Sequence, residues 1–248
     1  MELAELVALV GRLRGTTKKT EKVAQIATLL QQAREREIEL LALYLTGTLA
    51  QGRIGIGHRG LQAAMPSGPA TGEPLTLVGL DQALGQLAKE QGQGSAERRA
   101  RGLRALLERA DPAGRQLMFE LLTGQLRQGA LDGLVLEAIA KASTLPAAEV
   151  RQASMFAPTI GALARAALEE GSAGLARFSL QLLSPVAPML ANPAGDAEEA
   201  LERLGEAAFE YKLDGARVQV HRSDDEVRVF TRGLNEVTAA VPELVEAV

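Results

Sequence analysis

A lysine near the carboxyl end of the sequence has the surroundings that covalent catalysis needs. Lys212 lies in the segment Lys212-Leu213-Asp214-Gly215-Ala216-Arg217, and apolar residues flank it on both sides. Partial burial and a neighbouring cation such as Arg217 both favour the uncharged amine, which is the form able to attack an electrophile. Asp214 adds an opposite charge, and Gly215 has no side chain to keep a substrate away from the backbone. The sequence therefore predicts a nucleophilic lysine.

The segments around this lysine predict two short strands. Apolar and polar residues alternate from 209 to 213 and again from 218 to 221, which is typical of a half-buried strand. Gly215 would kink that strand. A turn at 223–226 and a second strand at 227–230 follow, so we expect a hairpin.

These residues resemble motif I of the covalent nucleotidyltransferases, which include ATP-dependent DNA ligases, RNA ligases and mRNA capping enzymes. Glu210 matches the position with which DNA ligases of this group recognise adenine. Thr231-Arg232-Gly233 resembles the family's next motif, a strand followed by an arginine and a glycine. The resemblance implies that Lys212 receives AMP, with Asp214 as a second catalytic residue. It also implies that the nucleotide is bound by Glu210, Tyr211, Arg217 and Arg232.

The resemblance implies a three-step reaction that uses ATP and Mg²⁺ or another divalent metal. The Lys212 amine attacks the α-phosphorus of ATP and pyrophosphate leaves. AMP then passes to the 5′-phosphate of a nick, and the 3′-hydroxyl displaces AMP. Charge develops on phosphate oxygens at each step, so cationic groups carry most of the stabilisation. Arg217 and Arg232 are the candidates for that role.

The composition excludes several other kinds of site. The 248 residues contain no cysteine, which excludes a disulfide framework, a thiol nucleophile and a thiolate metal site. His58 and His221 are far apart in sequence, which argues against a zinc site. No apolar run has the length of a membrane span, and the acidic first residues do not resemble a signal peptide. We therefore expect a soluble, cytoplasmic protein, associated with the nucleoid if it is bacterial.

The sequence contains an internal repeat. The segment from Leu45 to Gly52, Leu-Thr-Gly-Thr-Leu-Ala-Gln-Gly, recurs from Leu122 to Gly129 as Leu-Thr-Gly-Gln-Leu-Arg-Gln-Gly, with six of eight residues identical. The residues before each copy carry apolar stripes at helical spacing in the same register, and Lys22 corresponds to Arg99. Residues 1–145 are therefore predicted to form two related helical units around a shared core.

Each repeat closes with a glycine-rich turn, at 51–57 in the first and at 127–133 in the second. The net charge is −4, which argues against DNA binding through bulk positive charge alone. Backbone amides and helix N-termini in such turns can nevertheless bind phosphates, and small residues allow a close approach to a minor groove. Such glycines also occur as ordinary helix C-caps. Only 3% of residues are aromatic, which argues against base stacking.

The helical region resembles the all-helical DNA-binding domain that precedes the catalytic domain in archaeal, eukaryotic and some bacterial ATP-dependent DNA ligases. Its landmarks lie at 17–23, 126–130 and 188–191, although Ala187 stands where a basic residue is common. RNA ligases and capping enzymes generally lack this domain. The resemblance implies a monomer that binds nicked double-stranded DNA through its backbone and minor groove, without sequence specificity. It implies DNA contacts for Lys18, Lys19, Lys22, Arg53, Arg127 and Gly129.

The expected fold is mainly α. An all-helical DNA-binding domain with an internal pseudo-repeat is followed by the short α/β start of a nucleotidyltransferase (ATP-grasp-like) domain. We place the helical domain at 1–184, with sub-repeats at about 1–75 and 90–145, a linker at 185–196 and the truncated adenylation domain at 197–248. A complete ligase continues with a metal-binding carboxylate, further lysines and an oligonucleotide-binding domain. We therefore expect an N-terminal fragment that does not seal nicks alone.

Two other functions remain open on the sequence. A non-catalytic module that binds nicked duplex, with Lys212 as a phosphate contact or an ordinary surface lysine, would bind DNA in a salt-sensitive way without covalent AMP. A helical scaffold for protein partners would carry its lysines and arginines on solvated helix faces, and it would not bind DNA at low salt.

Overall fold

The computed structural model describes residues 1–52, 54–128, 132–188, 193–211 and 214–248. The chain divides into two compact units, Met1–Phe178 and Ser179–Val248. Each unit is described by itself below.

The first unit is built from helices. In chain order they are α1 (Leu3–Arg14), α2 (Lys19–Gln32), α3 (Arg36–Leu45), α4 (His58–Ala64), α5 (Leu77–Lys89), α6 (Ser95–Glu108), α7 (Pro112–Thr123), α8 (Asp132–Ser143), α9 (Ala147–Ser154) and α10 (Ile160–Ala176). Several begin at side-chain caps that the sequence supplies. Thr76, Asp111 and Thr159 each accept a hydrogen bond from the backbone N–H three residues later, at 3.0, 2.7 and 3.0 Å.

The internal repeat is confirmed in the order of the helices. Helices α2 and α3 occupy the same positions in the first repeat as α6 and α7 occupy in the second. Gly47 and Gly124, which hold the same place in each copy, both have a positive φ of 71° and 67° where the helix ends. Only glycine adopts that conformation at little cost, so the repeated glycine stops both helices.

The two repeats pack across each other. Helix α2 of the first repeat packs against α8 of the second, and α6 of the second packs against α4 of the first. Apolar residues from α1 to α10 form one contiguous core, in which Leu30, Leu45, Leu107 and Val135 are fully buried. The shared core that the apolar stripes predict is therefore present, and it joins the repeats rather than separating them.

Close packing of α10 on α3 leads to a prediction for Gly161. A Cβ atom built on this glycine would lie 2.8 Å from the backbone oxygen of Glu39 and 3.1 Å from Cγ of Leu43. Gly161→Ala should therefore lower the free energy of unfolding by about 2 kcal/mol, because backbone cannot move aside as a side chain can. Gly11 is the matched control, since no described atom lies within 4 Å of its added Cβ.

Gly11→Ala should raise the free energy of unfolding by roughly 0.5–1 kcal/mol, because alanine is the better residue inside a helix. Urea denaturation of both variants measures the two effects. Equal shifts in the same direction would show that α10 and α3 are not in close contact at Gly161.

The second unit contains a helix and a hairpin. Its elements are α11 (Ala197–Leu204), β1 (Val218–Ser223), β2 (Glu226–Thr231), a short 3₁₀ turn (Thr238–Ala240) and α12 (Pro242–Glu246). The strands are antiparallel, with Val218 opposite Thr231 and Ser223 opposite Glu226. Val229 and Phe230 of β2 are buried. The predicted hairpin is confirmed, and the chain as a whole is mainly helical, as expected.

The predicted strand on the amino-terminal side of Lys212 is not formed in the described residues. Residues 207–211 and 214–217 lie outside any strand, and β1 begins only at Val218. Phe209 and Tyr211 are 76% and 96% exposed. Alternation of apolar residues does not make a strand where no neighbouring strand is available to pair with it. Over the described part of the chain, no helix is long and apolar enough to cross a membrane.

Candidate nucleotidyl-transfer site and nucleic-acid interface

Two arginines lie together at one end of the hairpin. Arg217 directly precedes β1 and Arg232 directly follows β2, and the last registered pair of the sheet is Val218 with Thr231. The two arginines therefore flank the same end of the hairpin. Both are exposed, and neither makes an ion pair with another described residue. Two unpaired guanidinium groups at one place can bind a phosphate group.

The chain after β2 is held in a tight turn that fixes Arg232. The Thr231 N–H donates to the Asn235 carbonyl at 2.9 Å, and the Leu234 N–H donates to the Thr231 carbonyl at 2.9 Å. The Thr231 hydroxyl also accepts from the Asn235 N–H at 3.3 Å. The turn runs from Thr231 to Asn235, so Arg232 lies within it, directly after the last residue of β2.

The other predicted residues of the nucleotide site are either exposed or lie outside the described residues. Lys212, the predicted nucleophile, lies outside the described residues. Glu210 and Tyr211 before it and Asp214 after it are exposed. In the described ranges no group of three or more His, Asp or Glu side chains is gathered closely enough to hold a metal ion. The hairpin thus presents positive groups for phosphate, while the described carboxylates do not form a cation site.

In the helical unit the two copies of the repeated segment meet. The Gln128 side chain, which is 4% exposed, donates from Nε2 to the carbonyl of Leu45 at the end of α3. A Cβ built on Gly47 would lie 3.8 Å from Cβ of Leu126. The turn that follows α7 is therefore attached to the turn that follows α3.

Basic residues from elsewhere hold the second of these turns. Lys22, which is buried at 8% exposure, donates from Nζ to the carbonyl of Gln128 at 3.3 Å. The Nε of Arg14 donates to the carbonyl of Arg127 at 3.2 Å, and the same guanidinium pairs with Glu120. With its main chain held on both sides, the Arg127 side chain remains exposed. Lys22 thus holds the main chain of the turn through a buried hydrogen bond.

A corresponding contact occurs at the first turn. Arg99, which matches Lys22 in the repeat, has its NH1 atom 3.6 Å from a Cβ built on Gly55. It also donates from NH2 to the carbonyl of Glu90 at 2.6 Å. Each repeat therefore sends a basic side chain to the glycine-rich turn of the other. Arg53 of the first turn and Gly129 of the second, both predicted DNA contacts, lie outside the described residues.

The first turn is also tied to the half-buried side chain of Asp81. The Gln51 side chain donates from Nε2 to the carbonyl of Asp81 at 2.9 Å and to its Oδ1 at 2.7 Å, and Arg36 pairs with the same carboxylate at 3.2 Å. Burial, and then the charge of Asp81, raise the pKa of the Tyr44 hydroxyl above its usual value. The Gln51 side chain thus ties the start of the first turn to Asp81.

The two lysines at the start of α2 differ in availability. Lys18 pairs with Glu21 at 2.9 Å, and both side chains are exposed. Hydrogen bonds from the Thr16 hydroxyl and then from Lys18 lower the pKa of Glu21, so its carboxylate is charged at neutral pH. Lys19 is exposed and makes no ion pair within the described ranges. A phosphate must displace Glu21 to reach Lys18, whereas Lys19 needs no such exchange.

Gln51 and Gln128 are residues that reasoning on the sequence missed. They occupy the same position in the two copies of the repeat, and both lie among the identical residues of that segment. Identity at a glutamine inside a repeated turn was the available signal, because each side chain ties its turn to another part of the helical unit.

Two protein-family models match the chain, in sequence order. The model described as "DNA ligase N terminus" matches residues 61–140, which lie in the helical unit. The model described as "ATP dependent DNA ligase domain" matches residues 188–248, which include Lys212, the hairpin and both unpaired arginines. The two matches fall on the two units that contain the candidate interface and the candidate site.

Relatives of known sequence match along the whole chain. A "Probable DNA ligase" of Anaeromyxobacter sp. (strain Fw109-5) is 49% identical over 249 residues, which cover 100% of this chain and 48% of the relative. One of Anaeromyxobacter dehalogenans (strain 2CP-1) is 50% identical over 99% of this chain and 48% of its own length. A third, of Mycolicibacterium gilvum, is 43% identical over 100% and 48%.

The chain therefore spans about half the length of these relatives. With both family models matched in order, and with identity near one half along its whole length, the chain belongs to the ATP-dependent DNA ligase family.

Proposed function

We propose that this chain acts in the ATP-dependent sealing of nicks in double-stranded DNA, with Lys212 as the residue that carries AMP. The observation that supports it most directly is the pair of unpaired guanidinium groups, Arg217 and Arg232, at the end of the hairpin. Lys212 lies five residues before Arg217 in the sequence. Attack of an amine on the α-phosphorus breaks a phosphoanhydride bond, and cations stabilise the charge that develops on the phosphate oxygens.

The proposed reaction uses ATP and the two ends of the nick as its reactants. The uncharged amine of Lys212 forms a bond to the α-phosphorus of ATP, and the bond to pyrophosphate breaks. An oxygen of the 5′-phosphate at the nick then takes AMP from the lysine. The 3′-hydroxyl finally attacks that 5′-phosphorus and releases AMP. Arg217 and Arg232 are proposed to neutralise phosphate oxygens, and Glu210 and Tyr211 are proposed to bind the nucleoside.

Mg²⁺ is the metal that we propose for this reaction, since the family uses a divalent cation generally. The described carboxylates of this chain do not gather into a site for it. No residue described in this chain is therefore proposed to hold the metal ion.

The helical unit is proposed to bind the nicked duplex as a monomer. The paired turns after α3 and α7 would approach the DNA backbone and the minor groove, with backbone amides, Lys18, Lys19, Arg53, Arg127 and Gly129 as phosphate contacts. Lys22 is proposed to act indirectly, because it is buried and holds the carbonyl of Gln128. Such contacts read the backbone and give no sequence specificity.

Labelling with ATP tests the proposal. The purified chain is incubated with α-labelled ATP and Mg²⁺, denatured, and examined for retained label; a nicked duplex is then added to native, labelled protein. Retained label that moves to the 5′-phosphate supports the proposed function. Salt-sensitive binding of nicked duplex with no retained label would instead favour the non-catalytic duplex-binding module.

The exposed side chain of Arg127 gives a prediction for the interface. Arg127→Ala should weaken binding of nicked duplex about fivefold at ~0.1 M salt, and should lower the slope of log affinity against log salt by about one. The effect should be equal for duplexes of different sequence, because a phosphate contact carries no base readout. Fluorescence anisotropy over a salt series measures both quantities.

Arg151→Ala is the matched control for this measurement. Arg151 is an exposed arginine of α9, away from the two turns. Its loss should leave the affinity and the salt slope almost unchanged. If both variants weaken binding alike, the paired turns are not the interface.

A further inference from the structure

The side chain of Gln219 makes a two-point contact with the chain that precedes the second family match. Its Nε2 donates to the carbonyl of Val186 at 2.6 Å, and its Oε1 accepts from the N–H of Val186 at 3.0 Å. The amide thus satisfies both backbone groups of one residue, as the neighbouring strand of a sheet would do. Both residues belong to the second unit.

The glutamine itself is held on a packed support. It lies in β1, paired with Phe230 of β2, which is buried. His221, two residues further along β1, packs the edge of its ring on Phe230 with centroids 5.2 Å apart, and its Nε2 lies 3.5 Å from Oε1 of Gln219. A side chain that starts from a registered strand position loses little freedom when it binds, so the contact is preorganised.

The chain just before Val186 lacks such support. Leu180 and Leu182 are 70% and 80% exposed, although both are large apolar residues. The backbone hydrogen bond described for this stretch is a single turn, from the N–H of Ser184 to the carbonyl of Gln181. Exposed backbone with few hydrogen bonds belongs to the parts of a protein that open most readily.

We propose that Gln219 anchors Val186 to the hairpin, so that the connection able to pivot between the two units is confined to residues 179–185. The anchored residue falls inside the segment 185–196 that the sequence predicts as the linker. The pivot would then lie on the helical side of Val186, rather than anywhere within 185–196. The anchor lies two residues after Arg217, one of the two unpaired arginines.

The consequence for ligation rests on the proposed function. A helical unit that binds DNA must present the nick to Lys212, and a shorter free connection between the units raises the effective concentration of one near the other. The anchor itself concerns only hydrogen bonds within the second unit. It can be tested without ATP or DNA, so its failure and the failure of the proposed function are separate results.

Hydrogen exchange at a single amide is the direct test. In the ¹⁵N-labelled chain, the Val186 N–H should exchange at least about tenfold more slowly than in Gln219→Leu, which removes both partners. Gln219→Glu keeps the length and one acceptor, but it places a second oxygen against the Val186 carbonyl. It should lose most of the protection as well.

Two controls separate loss of the anchor from loss of the fold. Gln181→Leu changes an exposed glutamine of the same unit whose side chain makes no hydrogen bond among the described residues, and it should leave Val186 protected. The Val237 N–H, which donates to the Val229 carbonyl at 2.8 Å, should exchange at the same rate in every variant.

The same variants can be cleaved with a dilute protease of broad apolar specificity. The cuts should cluster near Leu180 and Leu182 in the unaltered chain and extend past Val186 in Gln219→Leu. A Val186 amide that exchanges freely in the unaltered chain, or protection that persists in Gln219→Leu with Val237 unchanged, would overturn the inference.

Discussion

Replacing Lys212 with alanine should abolish the covalent attachment of AMP to this chain, by at least roughly 10³-fold relative to the unaltered protein. In the proposed reaction the Lys212 amine forms the new bond to phosphorus, and no other residue of the segment 212–217 carries an amine. Lys212→Arg should be equally inactive, because a guanidinium stays protonated and cannot act as the nucleophile. Retention of label from α-labelled ATP after denaturation measures the effect.

Lys89→Ala is the matched control for this change. Lys89 is an exposed lysine at the end of α5 in the helical unit, and its removal should leave the label unaltered. Arg217→Ala and Arg232→Ala should reduce the rate of labelling without abolishing it, since each removes one of two cations. Label that persists in Lys212→Ala would assign the nucleophile to another residue.

The second large effect is expected at Arg115, a buried arginine of α7 that is 5% exposed. Its Nε donates to the carbonyl of Leu107 at 2.9 Å, and its NH1 donates to the carbonyls of Pro66 at 3.3 Å and Gly68 at 2.7 Å. One side chain thus joins α7 to the last turn of α6 and to the loop after α4. Three carbonyls accept hydrogen bonds from this guanidinium, and its Nη2 is buried without a hydrogen-bond partner among the described residues.

Arg115→Met should lower the free energy of unfolding by about 3 kcal/mol, as measured by urea denaturation. Methionine fills a similar length but donates no hydrogen bond, so carbonyls that lose their donor must find water or remain unsatisfied. Removal of the buried charge offsets part of this cost, which keeps the expected value below the sum of three charge-assisted hydrogen bonds. The loop at 66–68 should also exchange its amides faster.

Arg101→Met provides the comparison. Arg101 is an exposed arginine of α6 with no ion pair among the described residues, and the same substitution there should change stability by no more than about 0.5 kcal/mol. If the two variants are equally stable, the Arg115 contacts contribute nothing net, and apolar packing alone holds the loop.

The repeat was predictable because it is a local pattern written twice. Gly47 and Gly124 end their helices at matching positions, and the apolar stripes of α2 and α6 face the core as helical spacing requires. The hairpin was predictable for a similar reason, since a turn at Asp224 lies between two segments of alternating residues. Each of these features depends on residues that are close together in sequence.

Contacts between distant residues were not predictable in this way. Nothing in the sequence near Arg115 indicates that its acceptors lie at Leu107, Pro66 and Gly68, or that Gln219 binds Val186. The resemblance implies a DNA contact for Lys22, and the sequence did not indicate that this side chain is buried and donates to the carbonyl of Gln128. Its burial depends on the crossing of the two repeats, which the stripes alone do not specify.

That crossing has a consequence for how the helical unit can be divided. Helix α2 packs on α8, and α6 packs on α4. Each repeat therefore buries a helix face against the other repeat. One repeat produced alone would expose the apolar helix face that packs on the other repeat. Two copies of that repeat could then bury these faces against each other.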